Sequence, residues 1–146
     1  MVGVDGSDAS REALRWGAEE ARLRFAQLVA VHAWSFVPPQ PIGDPGMLAM
    51  PAGDLPGQLS AESDAARIAL DEVVSDALGA EPGIEVERKL VEGDAGDALV
   101  SESADAELVV VGSHGRSGLK AAILGSVSRH VVDHSTCAVV VVKAKD

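Results

Sequence analysis

The sequence predicts an α/β fold, a single doubly wound (Rossmann-like) domain whose five-stranded parallel sheet has the order 3-2-1-4-5, with helices on both faces. Three observations lead to this prediction. The chain has 146 residues, which suits one domain with a real core, and 47% of them are hydrophobic. Five short apolar segments alternate along the chain with segments of helical periodicity. Such alternation is typical of parallel strands joined by right-handed crossover helices.

The first half of the chain predicts two strands and two helices. MVGVDGS is a short apolar strand followed by a polar turn, in which Ser7 and Asp8 are candidates to cap the first helix. That helix is predicted from apolar residues at Leu14, Ala18, Ala21 and Phe25. LVAVHAW, from Leu28 to Trp34, predicts the second strand. Prolines then mark a Pro/Gly-rich loop at about 36–58, before a second helix with apolar positions at Ala66, Leu70, Val73 and Ala77.

The second half of the chain predicts three strands and two helices. IEVERKLVEG alternates apolar and charged residues, as in a strand near a sheet edge with one wet face. A short helix from Asp94 to Ala104 leads to the strand ELVVVG. A helix that faces the sheet is then predicted from apolar residues at four-residue intervals, at Leu119, Ile123, Val127 and Val131. CAVVVVK supplies the last strand.

Composition excludes several classes of function. The formal net charge of −11 argues against a general attraction to nucleic acid or to anionic lipid. The single cysteine, Cys137, excludes an intrachain disulfide and a cysteine-based metal cluster. No apolar run approaches the length of a membrane span, and the start of the chain lacks the pattern of a secretory signal, so we expect a cytoplasmic protein. Because little chain precedes the first strand, we also expect that strand to be shortened or to lack residues.

One stretch reverses the charge of the chain. Residues 112–132 contain no Asp or Glu, but they include three cationic side chains, Arg116, Lys120 and Arg129. In a sheet of order 3-2-1-4-5, ligands bind beyond the carboxyl ends of strands 1 and 4, where the strand order reverses. The turns VDGS and VGSHG follow those two strands and would therefore face one crevice, and the cationic stretch begins in the second of them.

Glycines in this stretch indicate a site for phosphate. Gly112 and Gly115 let backbone N–H groups approach a ligand, and the next helix directs the positive end of its dipole at the same place. Gly125 lies inside the predicted helix, at a cost of about 1 kcal/mol relative to alanine. Close approach of a ligand would explain that cost, with Ser126 supplying a hydroxyl group. Tight packing of Gly125 on the sheet is the other explanation, and the sequence leaves both open.

The glycine spacing carries a resemblance to a known family. Neither standard nucleotide fingerprint is present, since the chain has no Gly-x4-Gly-Lys-Ser/Thr and no Gly-x-Gly-x-x-Gly after the first strand. It does contain Gly112-x2-Gly115-x9-Gly125-Ser126, together with VGVDGS, VHAW and VVVGSHGRSG. With these motifs the whole chain, residues 1–146, resembles a nucleotide-binding domain of the universal stress protein family, in its ATP-binding branch.

The resemblance implies a set of nucleotide-binding residues. The backbone around the three glycines and the hydroxyl of Ser126 are expected to hold phosphates and ribose. Asp5 is expected to contact the nucleoside, although an Asp in such a turn also serves as a helix cap. The backbone near Ala33, where the family more often has valine, is expected to read adenine. The full set comprises Val4, Asp5, Ala33, Gly112, His114, Gly115, Arg116, Gly125, Ser126 and Val127.

The resemblance also implies a ligand and an assembly. We expect a stress-response protein that binds ATP, with Mg²⁺ held mainly by the phosphates, while AMP and cyclic AMP remain open because a glycine cradle does not count phosphates. Slow ATP hydrolysis or phosphotransfer is the enzymatic alternative, and a nucleotide-free dimeric interaction module is the other alternative. The last strand, Ala138 to Val142, would be an apolar edge strand, so we expect a homodimer through it.

Two other features carry weaker hypotheses. His130 and His134 would lie on one helical face and suggest a metal pair, but their position near a helix C-terminus explains them without a metal. His32 is expected to be a packed core histidine. The Pro/Gly-rich loop is left open as a lid over the crevice, a partner surface or a disordered insertion.

Overall fold

The computed structural model describes residues 1–37, 54–115 and 124–144, and it confirms the predicted sheet. Five parallel strands lie in the order β3-β2-β1-β4-β5. Val2 of the central strand is in register with Ala30 on one side and Val110 on the other. The bounds of the strands are β1 (Val2–Gly3), β2 (Leu28–Trp34), β3 (Val86–Glu92), β4 (Leu108–Gly112) and β5 (Ala138–Val142).

Helices connect the strands, and polar side chains cap the N-termini of three of the helices. Their bounds are α1 (Asp8–Arg24), α2 (Leu55–Leu78), α3 (Ala95–Glu102) and α4 (Ser126–His134), with a 3-10 turn at Ser103–Asp105. The Ser7 hydroxyl accepts a hydrogen bond from the Ser10 N–H at 3.2 Å, which confirms Ser7 as the cap of α1. Asp54 and Asp94 cap α2 and α3 in the same way. No helix in the described part of the chain has both the length and the apolar character needed to cross a membrane.

The second helix begins earlier than the sequence predicted. α2 starts at Leu55, so residues 55–58, which were assigned to the Pro/Gly-rich loop, are helical. Pro56 lies in the first turn of α2, where proline is tolerated because the backbone N–H groups there have no partner within the helix. Residues 38–53 of that loop lie outside the described residues.

Two hydrophobic cores lie on opposite faces of the sheet. α1 and α2 cover one face, where Leu14 packs with Val110. α3 and α4 cover the other face, where Leu99 packs with Val109 and Val111. Successive residues of β4 contribute to different cores because the side chains of a strand alternate between its two faces. Helices therefore cover both faces of the sheet, as the sequence predicted.

The prediction for the fourth helix was wrong at its start. α4 begins at Ser126, and Gly125 precedes it with an extended backbone of φ −61° and ψ 162°, so Gly125 carries no cost as a helix-interior glycine. A tertiary hydrogen bond holds Gly125 in this conformation, since its N–H donates to the Ser113 carbonyl at 2.8 Å. Leu119 and Ile123, on which the prediction also depended, lie outside the described residues.

Gly17 brings α1 close to the sheet, and we predict that Gly17→Ala destabilises the fold. A methyl group at Gly17 would lie 2.6 Å from Val2 Cγ2 and 3.4 Å from Leu28 Cδ1, in a core where Val2 is fully buried. Overpacking of this kind costs about 1–3 kcal/mol, which outweighs the gain of about 1 kcal/mol from the better helix propensity of alanine. The urea midpoint measures the loss, with Glu19→Ala on the exposed side of α1 as control. A Gly17→Ala midpoint at or above that of the wild type would contradict the prediction.

Candidate functional site

Beyond the carboxyl ends of β1 and β4, the described residues form a crevice of about 180 Å³. β1 and β4 are neighbours in the sheet, but the helices that follow them lie on opposite faces. The chain therefore leaves the sheet in opposite directions at these two strands, and the space between the two exits stays open. The walls of the crevice come from the turns after β1 and β4, the end of β2, and the first turns of α3 and α4.

The turn after β1 places a carboxylate in the crevice. Asp5 Oδ1 accepts hydrogen bonds from the Ser7 N–H at 3.0 Å and from the Ser7 hydroxyl at 2.6 Å. Gly6 allows this tight turn because its φ of +81° lies in the left-handed region. The cap of α1 is therefore Ser7, and Asp5 orients that cap rather than replacing it. The other carboxylate oxygen, Oδ2, faces Gly115.

The turn after β4 is held by Ser113. This buried residue donates its N–H to the Val142 carbonyl at 2.7 Å, and its own carbonyl accepts the Gly125 N–H at 2.8 Å. The hydroxyl of Ser128, also buried, lies 3.2 Å from the same Ser113 carbonyl and 3.0 Å from the Gly125 carbonyl. Together these bonds bring the start of α4 back to the end of β4, on the floor of the crevice.

α4 presents an uncapped N-terminus to the crevice. No described side chain caps it, whereas α1, α2 and α3 each have a side-chain cap. The Arg129 N–H donates to the Gly125 carbonyl as the first bond of the helix, so the N–H groups of Ser126, Val127 and Ser128 have no partner within it. These three residues line the crevice. Their N–H groups and the helix dipole favour an anion at this place.

The three glycines of the sequence motif differ in what a side chain at each position would contact. A methyl group at Gly112 would lie 2.9 Å from the backbone carbon of Ala9, so this glycine is required by the packing of α1. A methyl group at Gly115 would lie 2.9 Å from Asp5 Oδ2. At Gly125 the nearest atom would be the Ser113 carbonyl oxygen at 3.4 Å, an ordinary contact. Of the three, Gly125 is the one that its described neighbours would allow to carry a side chain.

The described lining of the crevice contains no lysine or arginine side chain. Among its described lining residues, the ionisable side chains are those of Asp5 and His114, and the His114 ring lies 2.9 Å from the Ser113 hydroxyl. Arg129 lines a different surface, beside the outer face of α4. Arg116 and Lys120 lie outside the described residues. In the described part of the site, attraction of an anion therefore rests on backbone N–H groups.

The structure brings together nine of the ten residues that the resemblance implied, and Arg116 lies outside the described residues. Their contacts with a ligand stay a prediction. Sequence reasoning missed the residues of α3, because only the sheet order carries that helix to the crevice. It also missed Ser128, for which a hydroxyl three residues after Gly125 was the available signal. The missed lining residues are Gly3, Ser10, Val31, Ala95, Leu99, Val111 and Ser128.

The histidines outside the crevice take part in local contacts. The rings of His130 and His134 stack with centroids 4.2 Å apart, and His130 Nε2 lies 3.0 Å from Asp97 Oδ1. No group of three or more His, Cys, Asp or Glu side chains among the described residues could hold a metal ion. His32 is half-buried, and its Nδ1 lies 2.7 Å from the Val4 carbonyl oxygen.

A larger cavity of about 340 Å³ lies at the opposite, amino-terminal edge of the sheet. Burial lowers the pKa of the Met1 amino group at this edge. A hydrogen bond from Lys89 to Glu102 raises the pKa of the lysine. The carboxylates on its wall outnumber the two cationic side chains Arg24 and Lys89, so it suits an anion less than the crevice does. Those carboxylates belong to Glu20, Glu87, Glu102, Asp105 and Glu107.

Comparison with known proteins agrees with the observed fold. The model of the universal stress protein family matches residues 1–143. Universal stress proteins of Mycobacterium tuberculosis and Mycobacterium bovis are 38% identical over 144 residues, and the match covers 98% of this chain and 44% of theirs. A universal stress protein of Mycolicibacterium smegmatis is 32% identical, with 99% of this chain and 45% of its own length covered. The chain thus spans less than half the length of these relatives.

Solved structures share the fold. A universal stress protein solved in complex with cAMP is 27% identical, covers 99% of this chain and 94% of its own, and has a TM-score of 0.61. A universal stress protein from Archaeoglobus fulgidus, solved in complex with dAMP, is 25% identical with a TM-score of 0.58, over 97% of this chain and 94% of its own. UspA from Lactobacillus plantarum, at 23% identity and a TM-score of 0.64, covers 97% and 95% and shows the fold alone.

Because Gly112 and Gly125 have different neighbours, we expect substitution by alanine to affect stability differently at the two positions. We expect Gly112→Ala to lower the free energy of unfolding by about 1–3 kcal/mol, because its methyl group meets the backbone of α1. The matched substitution Gly125→Ala should change it by no more than about 0.5 kcal/mol, since its neighbours leave room. Urea denaturation of both variants measures the difference. Equal losses in the two variants would show that the glycines share one structural role.

Proposed function

The chain belongs to the universal stress protein family, and from this premise we propose that it binds an adenine nucleotide in the crevice, with ATP as the ligand. The nucleotide would lie across the carboxyl ends of β1 and β4, with its phosphates at the N-terminus of α4. The proposed role is that of a stress-response binding protein. Because the chain spans less than half the length of its curated relatives, we propose this role for the domain and not for a longer protein. A cytoplasmic location stays a prediction.

The observation that carries the proposal is the start of α4, which no described side chain caps, beside Gly125, whose described neighbours leave room. The N–H groups of the first turn have no partner within the helix, and the backbone before them has no side chain to keep a ligand away. A phosphate group is an acceptor that can bind several such donors at once. In a chain with a net charge of −11, backbone donors attract an anion without exposing cationic side chains.

The remaining walls suit the nucleoside. The half-buried Asp5 offers its Oδ2 as an acceptor for a hydroxyl or amino group, while its Oδ1 already binds Ser7. The end of β2 at Ala33 supplies backbone groups that could contact the base. At about 180 Å³ the crevice is smaller than the roughly 300–1,000 Å³ typical of sites that enclose a ligand. A nucleotide would therefore fill it and extend past its mouth.

Two relatives support the class of ligand. The universal stress protein at 27% identity was solved with cAMP, and the Archaeoglobus fulgidus protein at 25% identity with dAMP. Both ligands carry an adenine base and one phosphate. ATP shares the base and adds phosphates that the uncapped helix start can bind, and Mg²⁺ would be held mainly by those phosphates. AMP and cAMP are the competing ligands.

We further propose that the protein forms a homodimer through β5. This strand pairs with β4 alone among the described strands, so one edge of its backbone is open. The Val142 carbonyl accepts a hydrogen bond from the Ser113 N–H, so the backbone N–H and C=O groups of residues 140 and 142 point toward β4. The N–H groups of Val139 and Val141 then point outward, where a second copy can pair with them.

Nucleotide titration tests the proposed binding. We expect wild-type protein to bind ATP, AMP and cAMP in isothermal titration calorimetry, with ATP the tightest. Gly125→Val should weaken ATP binding at least tenfold, because its side chain enters the space proposed for phosphate. Val132→Thr, on the exposed side of α4, is the control. Absence of binding by wild type, or equal affinity in Gly125→Val, would overturn the proposal.

Sedimentation tests the proposed dimer. Val141→Pro removes an outward N–H, keeps an apolar side chain of similar size and leaves the bonds to β4, so we expect a monomer. The control Val141→Thr keeps that N–H and should sediment as a dimer, like the wild type. Val140 is a poorer test position because its side chain packs against the core beneath α1 and α2. A wild type that sediments as a monomer, or a Val141→Pro dimer, would refute this interface.

A further inference from the structure

We propose that His130 and Asp97 are positioning residues that join α3 to α4 and thereby set the width of the crevice. The inference rests on the proposed nucleotide binding, because its consequence is a change in affinity for the nucleotide. Neither residue lines the crevice. Their effect on nucleotide affinity would be transmitted through α3 and α4, because other residues of these helices line the crevice.

α3 and α4 both contribute to the wall of the crevice. Ala95 and Leu99 of α3 line it, and so do Ser126 and Val127 of α4. The start of α4 is fixed to the end of β4 by the hydrogen bond to the Ser113 carbonyl. The contacts between α3 and α4 therefore contribute to the distance between these lining residues.

The clasp, formed by His130 with Asp97 and Gly96, joins the two helices at the first turn of α3. His130 Nε2 lies 3.0 Å from Asp97 Oδ1. The His130 ring also covers the backbone of Gly96, where an added methyl group would lie 2.9 Å from Cδ2 and 3.0 Å from Cγ. Gly96 is buried, so the absence of a side chain there lets α4 approach α3 this closely.

The surroundings of the clasp leave Asp97 as the partner of His130. The Asp94 carboxylate on α3 is engaged as the helix cap, accepting from the Gly96 N–H at 2.8 Å and the Asp97 N–H at 3.2 Å. On α4, His134 stacks on the His130 ring and its Nδ1 lies 2.9 Å from the His130 carbonyl oxygen.

The expected effect is modest because the pair is exposed to water. The side chains of His130 and Asp97 are 35% and 77% exposed, and exposed pairs contribute little to stability. Loss of the pair should therefore weaken nucleotide binding about threefold, with little change in the urea midpoint. Loss of the ring contact with Gly96 would add to that effect.

A charge-matched pair of variants tests the role of Asp97. Asp97→Ala and Asp133→Ala each remove one negative charge, and Asp133 is an exposed carboxylate on α4. Removal of a negative charge by itself favours binding of an anion. We expect ATP affinity to fall about threefold in Asp97→Ala, against the direction of the charge effect, and to stay equal or rise in Asp133→Ala.

Substitutions of His130 separate its polar contact with Asp97 from its bulk. Gln places an N–H close to the position of the imidazole Nε2, so His130→Gln should retain most of the ATP affinity. Leu fills a similar volume without a polar group, so His130→Leu should weaken binding about threefold. Equal affinity in the two variants would show that the polar contact with Asp97 has no positioning role.

Gly96→Ala tests the close approach of α4 to α3. The added methyl group would lie 2.9 Å from His130 Cδ2 and 3.2 Å from Asp94 Oδ1, so it should push His130 and α4 away. We expect weaker ATP binding, whereas the urea midpoint reflects both this crowding, which lowers it, and the better helix propensity of alanine, which raises it. In the His130→Ala background the ring is absent, so adding Gly96→Ala should weaken binding no further.

These outcomes distinguish the clasp from the proposed function. If wild-type protein binds no adenine nucleotide, the proposed function fails and the clasp fails with it. If wild type binds ATP while Asp97→Ala, His130→Leu and Gly96→Ala all bind with wild-type affinity, the clasp is refuted and the proposed function stands.

Discussion

The candidate site depends on one backbone hydrogen bond, from the Gly125 N–H to the Ser113 carbonyl. Ser113 is itself held to β5, since its N–H donates to the Val142 carbonyl at 2.7 Å. The start of α4 is thus fixed to the carboxyl edge of the sheet and not only to its own helix. Gly125 is extended, so α4 begins at Ser126, and the N–H groups of its first turn have no partner within the helix. The position of the proposed phosphate site follows from it.

Glycine serves two different purposes around this bond. Gly112 has no side chain because α1 passes too close, and Gly17 on α1 meets the sheet for the same reason. Gly125 meets no such obstacle among its described neighbours, and its backbone has an extended conformation that other residues adopt as well. A motif of three glycines therefore mixes residues required by packing with one that its described neighbours would allow to carry a side chain. The spacing alone does not separate the two purposes, whereas the contacts of each glycine do.

A chain with a large negative charge can still bind an anion if backbone N–H groups, and not cationic side chains, are the donors. With a net charge of −11, the protein repels polyanions at most of its surface. N–H groups and a helix dipole act over a short range, so they can bind a phosphate group locally without changing the charge of that surface. In the described part of the crevice the carboxylate is that of Asp5, which follows β1.

Nine residues of the crevice were implied by the family resemblance, and the sheet order by the rules for doubly wound sheets. The sequence pattern itself determined the alternation of strands and helices and the cap at Ser7, because these follow from periodicity and from short turn motifs. It misplaced the start of α4, because a four-residue apolar repeat does not reveal that the Gly125 N–H binds a carbonyl at the end of β4. It also missed the wall formed by Ala95 and Leu99, and the contact between His130 and Gly96. Those residues meet only after the sheet has brought α3 beside α4, and no local pattern encodes a distance between two helices.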